Sequence, residues 1–278
     1  MPLRDIPLPR YVRGAGGYLV SKNSGQISGL FRHIEELQGT RPWGRFLDSG
    51  TGWASLEWAL TLPLAELVAV TGSEGRLAQM SKDFGARLGP SHRLLQGNWV
   101  QPEFLSGRTF DTILVDYLVG AVDRFAPYFQ TRLFPRLRKL ARGRMYVIGL
   151  EPQPDSVGNP DAKLLEQLCA LRDSTLLLSG DRPNREYPRW WVVEQLEKSG
   201  FRVVSQASFP ILYGRRFVEA ELEVCRRKLG LLPSSLQACF KKTEADLRET
   251  LLKRVKQDPI QWGADYVLSV ETDEPNEQ

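Results

Sequence analysis

The sequence predicts an α/β protein: a mostly parallel seven-stranded sheet with helices on both faces and an added helical insertion before the last strand. Three observations carry this. From Arg45 to Pro152 short apolar runs alternate with segments of helical periodicity, the pattern left by right-handed crossovers between parallel strands. A glycine-rich turn, Asp48-Ser49-Gly50-Thr51-Gly52, joins the first apolar run to the helix after it. Two later strand-like runs, FRVVSQASF and ADYVLSVE, flank some fifty residues that read as two helices.

The elements follow in order. Ile27, Leu30, Phe31, Ile34 and Leu37 recur at helical spacing, which makes ISGLFRHIEELQ a helix. RFLD is the first strand and ASLEWALTL its helix; ELVAVTG is the second strand and EGRLAQMSKDFGARL the next helix. HRLLQGN and the strongly apolar FDTILVDY are the third and fourth strands. QTRLFPRLRKLAR is helical with a break or kink expected at Pro135, which cannot donate to the preceding turn. GRMYVIGLEP is the fifth strand. Proline, glycine and asparagine make EPQPDSVGNPD and GDRPNREYPR loops, whereas AKLLEQLCALRDS and WWVVEQLEKSG, closing on Gly200, are helices. The expected organisation is a lid and helix segment over 1–40, one domain over 41–272 carrying the helical insertion at 215–258, and a polar tail at 273–278.

Composition narrows the class. A hydrophobic content of 42% and a charged content of 25% over 278 residues are those of a soluble globular chain, and no apolar run is long enough to span a membrane. Three scattered cysteines, without metal-ligand spacing, point to a reducing, cytoplasmic setting and to no metal site. The excess of 37 Lys and Arg over 33 Asp and Glu is small and forms no long tract, so a nucleic-acid partner is not favoured.

Topology places a ligand beyond the carboxyl ends of the parallel strands, and the residues there suit a charged nucleoside. Gly50 and Gly52 let the main chain approach closely and offer their amides as donors. Asp48 can accept from an ammonium group. Trp53 and Trp99 offer flat apolar surface to an adenine ring or to the core.

The turn with Ala54 resembles the D-x-G-x-G-x-G signature of class I S-adenosylmethionine-dependent methyltransferases. FDTILVDYLVGAV is similar to that family's fourth-strand motif, LLQGNW to its third-strand motif, and RLRKLARGR followed by RMYVIGLEP to the approach to its fifth strand. The resemblance covers roughly Arg45–Pro152 and, more loosely, the last two strands. It implies a Rossmann-like domain that holds S-adenosyl-L-methionine through Asp48, Gly50, Gly52, Trp53, Thr71 or Glu74, Asn98, Trp99 and Asp116. Two positions depart from the pattern: Ala54 replaces the third glycine, and Thr71 stands where the family places the acid that grips the ribose. Glu74, three residues on, is the alternative grip. A dinucleotide-binding enzyme is the nearest rival, but it requires glycine at position 55, which is Ser55, and the same missing acid.

The implied chemistry is in-line methyl transfer, which needs alignment and exclusion of water more than a strong base. Asp116, Tyr117 and Tyr187 are the candidate catalytic residues. The loop REYPRWW lies on the substrate side, and its Arg185 and Arg189 suit a carboxylate. GGYLVSKNSGQ, with Tyr18, Ser21 and Ser24, is a candidate lid. The expected function is therefore methylation of a small molecule, a carboxylate-bearing one among them. An RNA or protein methyltransferase and a non-catalytic scaffold are the alternatives, and the added helices suit a substrate cap, a homodimer interface or a basic docking surface.

Overall fold

The computed structural model describes residues 11–12, 28–154 and 158–272. Eight strands form one sheet: β1 (Tyr11–Val12), β2 (Arg45–Asp48), β3 (Glu66–Thr71), β4 (His92–Gln96), β5 (Phe110–Asp116), β6 (Ala141–Leu150), β7 (Phe201–Tyr213) and β8 (Ile260–Thr272). Among the described residues nine α-helices accompany them: α1 (Gly29–Gln38), α2 (Trp53–Ala59), α3 (Glu74–Phe84), α4 (Leu118–Phe125), α5 (Gln130–Arg138), α6 (Pro160–Leu178), α7 (Arg189–Lys198), α8 (Arg215–Lys228) and α9 (Ser234–Val255). The order across the sheet is β1-β7-β8-β6-β5-β2-β3-β4. β8 alone runs antiparallel to its neighbours, so the mostly parallel sheet and the helical insertion are as expected. The eighth strand is the two-residue β1, which pairs with the β7 edge and is too short to leave a periodic signal in the sequence.

Strand side chains alternate between faces, and the core divides accordingly. Phe46, Leu67, Leu114 and Tyr146 face one way, against α1, α2, α6, α8 and α9. Leu47, Val68, Val115 and Val147 face the other, against α4, α5 and α7. Local chemistry sets the helix starts: the Ser28 hydroxyl accepts from the Leu30 amide at α1, and Asn159 Oδ1 accepts from the Asp161 and Ala162 amides at α6.

Two helices differ from expectation. α5 continues through Pro135 without a break. α4 has no counterpart in the sequence reading, because LVGAVDRF follows directly on the apolar fourth strand. A left-handed residue makes the separation: Tyr117, at φ 49°, turns the chain out of β5 and begins α4.

β7 and β8 outgrow the other strands. Their ladder runs from Phe201–Thr272 to Tyr213–Ile260, so α8 and α9 leave and re-enter the sheet at the edge where β2 to β6 end. The insertion packs on α6 and, among the described residues, no helix is long and apolar enough to cross a membrane. The lid candidates Tyr18, Ser21 and Ser24, together with Ile27 and the tail 273–278, lie outside the described residues.

Candidate functional site

β2, β3, β4 and β5 end side by side on Asp48, Thr71, Gln96 and Asp116. Asp48 is fully buried, and among the described residues neither carboxylate oxygen makes a hydrogen bond of ordinary geometry. Burial pushes its carboxyl up to about 6 from the ordinary 3.8, although the Ser55 and Thr51 hydroxyls and the Gly50 amide lie close enough to moderate the rise. A buried carboxylate without a cation is costly, and here it sits at the sheet edge where topology places a ligand.

The glycine turn itself is held by the protein. The Ser49 amide donates to Leu114 O at 2.9 Å and the Thr51 amide to Val70 O at 2.7 Å. The Gly52 amide donates to Ser55 Oγ at 2.9 Å, and Trp99 Nε1 donates to the Ser49 carbonyl at 2.9 Å. The expectation of a free amide at Gly52 is thus corrected: Ser55 takes it, three residues into α2. At Gly50 the protein itself also approaches closely. A Cβ there would lie 3.0 Å from Leu118 Cβ, so α4 uses the space that glycine leaves.

The aromatic candidates both make contacts within the protein. Trp53 is half-buried and donates from its ring to Asp83 of α3 at 2.9 Å. Trp99 is buried and meets Phe104 edge-on at 5.4 Å. The Thr71 hydroxyl accepts from the Ser73 amide at 3.3 Å, and Glu74 is exposed on the first turn of α3, where its charge suits the helix dipole. Neither supplies a buried carboxylate for a ribose. Asn98 spends both ends of its amide on main chain, with Nδ2 donating to Phe125 O at 3.0 Å and Oδ1 accepting from the Val100 amide at 3.1 Å.

That contact exposes a residue the sequence reading missed. Phe125 closes α4, is 41% exposed, and lays its ring against Gly72, where an added Cβ would approach it to 3.0 Å. α4 therefore spans three loops, with Leu118 on Gly50 and Phe125 between Gly72 and Asn98. The signal was the helical spacing of Leu118, Val122 and Phe125, hidden by the strand before it.

Asp116 is buried at the end of β5, and Tyr117 is buried beside it. Tyr187 is half-buried and stacks on Trp191 at 4.3 Å, and burial raises its phenol above the usual range. Its carbonyl accepts from Tyr266 Oη at 3.3 Å. Tyr266 is buried on β8 opposite Gly149, where any side chain would collide with its ring, and burial together with Glu186, Glu151 and Asp265 raises its phenol further.

The two arginines of the loop are already engaged. Arg185 lies over the Tyr128 ring at 5.7 Å and 4.0 Å from Asp123, and Arg189 pairs with Glu151 at 3.7 Å. Burial works against ionisation of Asp123, but the Tyr128 amide, Gln130 and the Arg185 and Arg182 guanidiniums outweigh it and hold the carboxyl below the usual range. Trp190 is 68% exposed.

No protein-family model and no curated protein matches the sequence. Solved structures do match the fold. A putative methyltransferase, BH2331, from Bacillus halodurans superposes with a TM-score of 0.56 at 13% identity, covering 88% of this chain and 98% of that one. The [4+2]-cyclase SpnF gives 0.51 at 13% identity over 95% and 88%. The mycolic acid cyclopropane synthase CmaA1, complexed with SAH and CTAB, gives 0.51 at 16% identity over 87% and 84%. The chain has the fold of the class I S-adenosylmethionine-dependent methyltransferases. Likeness at this identity defines the architecture; activity has to be argued from the site.

Proposed function

We propose that the protein binds S-adenosylmethionine at the ends of β2 to β5 and methylates a small molecule. The observation that carries this is Asp48, a fully buried carboxylate beside the glycine turn that has no cation and no hydrogen bond of ordinary geometry among the described residues. The ammonium of the cofactor's amino-acid portion is the partner it lacks, and pairing would offset the cost of burying the charge. Phe125, fixed by Asn98, offers an apolar face for the base. Thr71 and Glu74 provide no ribose grip, so recognition rests on the two ends of the nucleoside.

When bound, the cofactor would supply an electrophilic methyl group on a sulfonium. The chain's own part is alignment. Asp116 and Tyr117 border the acceptor from β5, and Tyr187, steadied by Trp191 and Tyr266, borders it from the loop before α7. Burial raises the Tyr187 phenol above the usual range, so at neutral pH it orients an acceptor through hydrogen bonds and does not remove its proton. Arg185 and Arg189 already face carboxylates, so a neutral or cationic acceptor suits this edge better than the carboxylate-bearing one.

Calorimetric titration of the full chain with S-adenosylmethionine and with S-adenosylhomocysteine tests this. Both should bind at one site, more weakly below pH 6 as Asp48 takes up a proton, and roughly tenfold or more weakly in Asp48→Asn. Absence of binding by both compounds would overturn the proposal and favour a scaffold that keeps the fold without the cofactor.

A further inference from the structure

The helical insertion borders a cavity on its own layer. α6, α8 and α9 surround a space of about 320 Å³ whose walls include Cys225, Leu229, Phe240 and Ala245. Phe240 also borders a wider depression of about 520 Å³ between α6 and α9. Of the polar groups lining the space, the Thr175 hydroxyl and the Glu244 carboxylate are satisfied by the protein. Thr175 Oγ1 donates to Leu171 O at 2.7 Å, and Glu244, itself buried, accepts from Arg248 Nε at 2.8 Å. Burial pushes the Cys225 thiol up to about 11, so it is neutral and behaves as an apolar wall. The part of a cavity walled by apolar groups and satisfied polar atoms attracts apolar atoms in preference to water.

Two cations, Arg226 and Lys241, also line the cavity, against one carboxylate, Glu244. The Lys241 side chain is exposed and makes no hydrogen bond or ion pair among the described residues, in contrast to Lys242 beside it, which pairs with Asp246 at 2.7 Å. Arg226 reaches Glu244 at only 3.4 Å, while Arg248 holds the same carboxylate more closely. Arg226 is therefore able to turn toward another anion without leaving Glu244 unpaired.

From this geometry we infer that the α6–α8–α9 cavity binds a monoanionic amphiphile, with the apolar chain inside and a carboxylate head on Lys241 and Arg226. At ~30 Å³ for each group of water size, the cavity holds about ten heavy atoms, which sets the class as a medium-chain fatty acid. The inference is independent of the cofactor site, since it rests on residues of the helical layer alone.

The test is titration of the full chain with decanoate below its micellar concentration, beside decyltrimethylammonium, which has the same tail and the opposite charge. Decanoate should bind saturably at one site. The cationic analogue should bind roughly tenfold or more weakly, as should decanoate to Lys241→Glu, whose exposed substitution leaves the fold intact. Ala245→Trp, with helicity checked by circular dichroism, should lose binding by filling the cavity. Equal binding of the two head groups, undiminished binding in Lys241→Glu or Ala245→Trp, or no heat up to about 1 mM would overturn the inference. Sedimentation showing that this surface joins two copies, and that Lys241→Glu parts them, would also overturn it by assigning the cavity to an interface.

Discussion

Replacing Asp48 with asparagine should change how the free protein's stability depends on pH. The folded carboxyl titrates near 6, against 3.8 for an ordinary aspartate. Between those values the folded state keeps a proton that the unfolded chain has released, so stability falls as pH rises through the window. A displacement of about two on the pH scale, at ~1.4 kcal/mol for each tenfold, amounts to ~3 kcal/mol lost between pH 4 and pH 7. The amide of Asp48→Asn cannot ionise and has no such window. It leaves buried donors of its own, at about 1–3 kcal/mol, but that cost does not vary with pH. The quantity to measure is therefore the difference between variant and parent in urea unfolding, from pH 4 to pH 7.5, because every other titrating group cancels. That difference should move in the variant's favour by about 3 kcal/mol as pH rises. Parallel pH curves would refute the reasoning, since they would mean that Asp48 is not desolvated in the folded state. A difference that moves the opposite way would place a cation beside it.

Two further predictions concern the glycine turn. Gly50→Ala should destabilise by about 1 kcal/mol through overlap with Leu118, and adding Leu118→Ala should recover part of that loss. Strictly additive unfolding energies in the double-mutant cycle would show that the two positions do not touch. Trp99→Phe keeps a ring but leaves the Ser49 carbonyl without its donor. Unfolding should become easier by about 1–3 kcal/mol, and a variant as stable as the parent would show that this bond does not hold the turn.

The sheet was largely legible because burial on both faces makes parallel strands continuous apolar runs, and ELVAVT and FDTILVD are of that kind. The turn after β2 was legible because glycines at a strand-to-helix junction are locally constrained. What occupies the turn was not legible, since its partners are distant in the chain: Val70, Leu114 and Trp99 take its polar groups, and Leu118 fills the space above Gly50. α4 escaped notice because helical spacing cannot be told from strand when one apolar run follows another, and a single left-handed Tyr117 divides them. The arginine loop was legible as a loop. Its arginines seemed available only because Asp123, Tyr128 and Glu151, which engage them, come from other elements.

The in-register pairing of Tyr213 with Ile260 has a consequence for how this molecule can vary. The β7–β8 ladder, with register shifts at Val203/Ser205 and Pro210/Leu212, reaches Tyr213 and Ile260 before the chain departs into α8 and returns from α9, so the pairing of the strands does not depend on what lies between. Lengthening a connection whose ends are already pinned costs little in closure entropy. Whatever chemistry the arm carries can be lost, replaced or enlarged by substitution and insertion while the strands beneath keep their register.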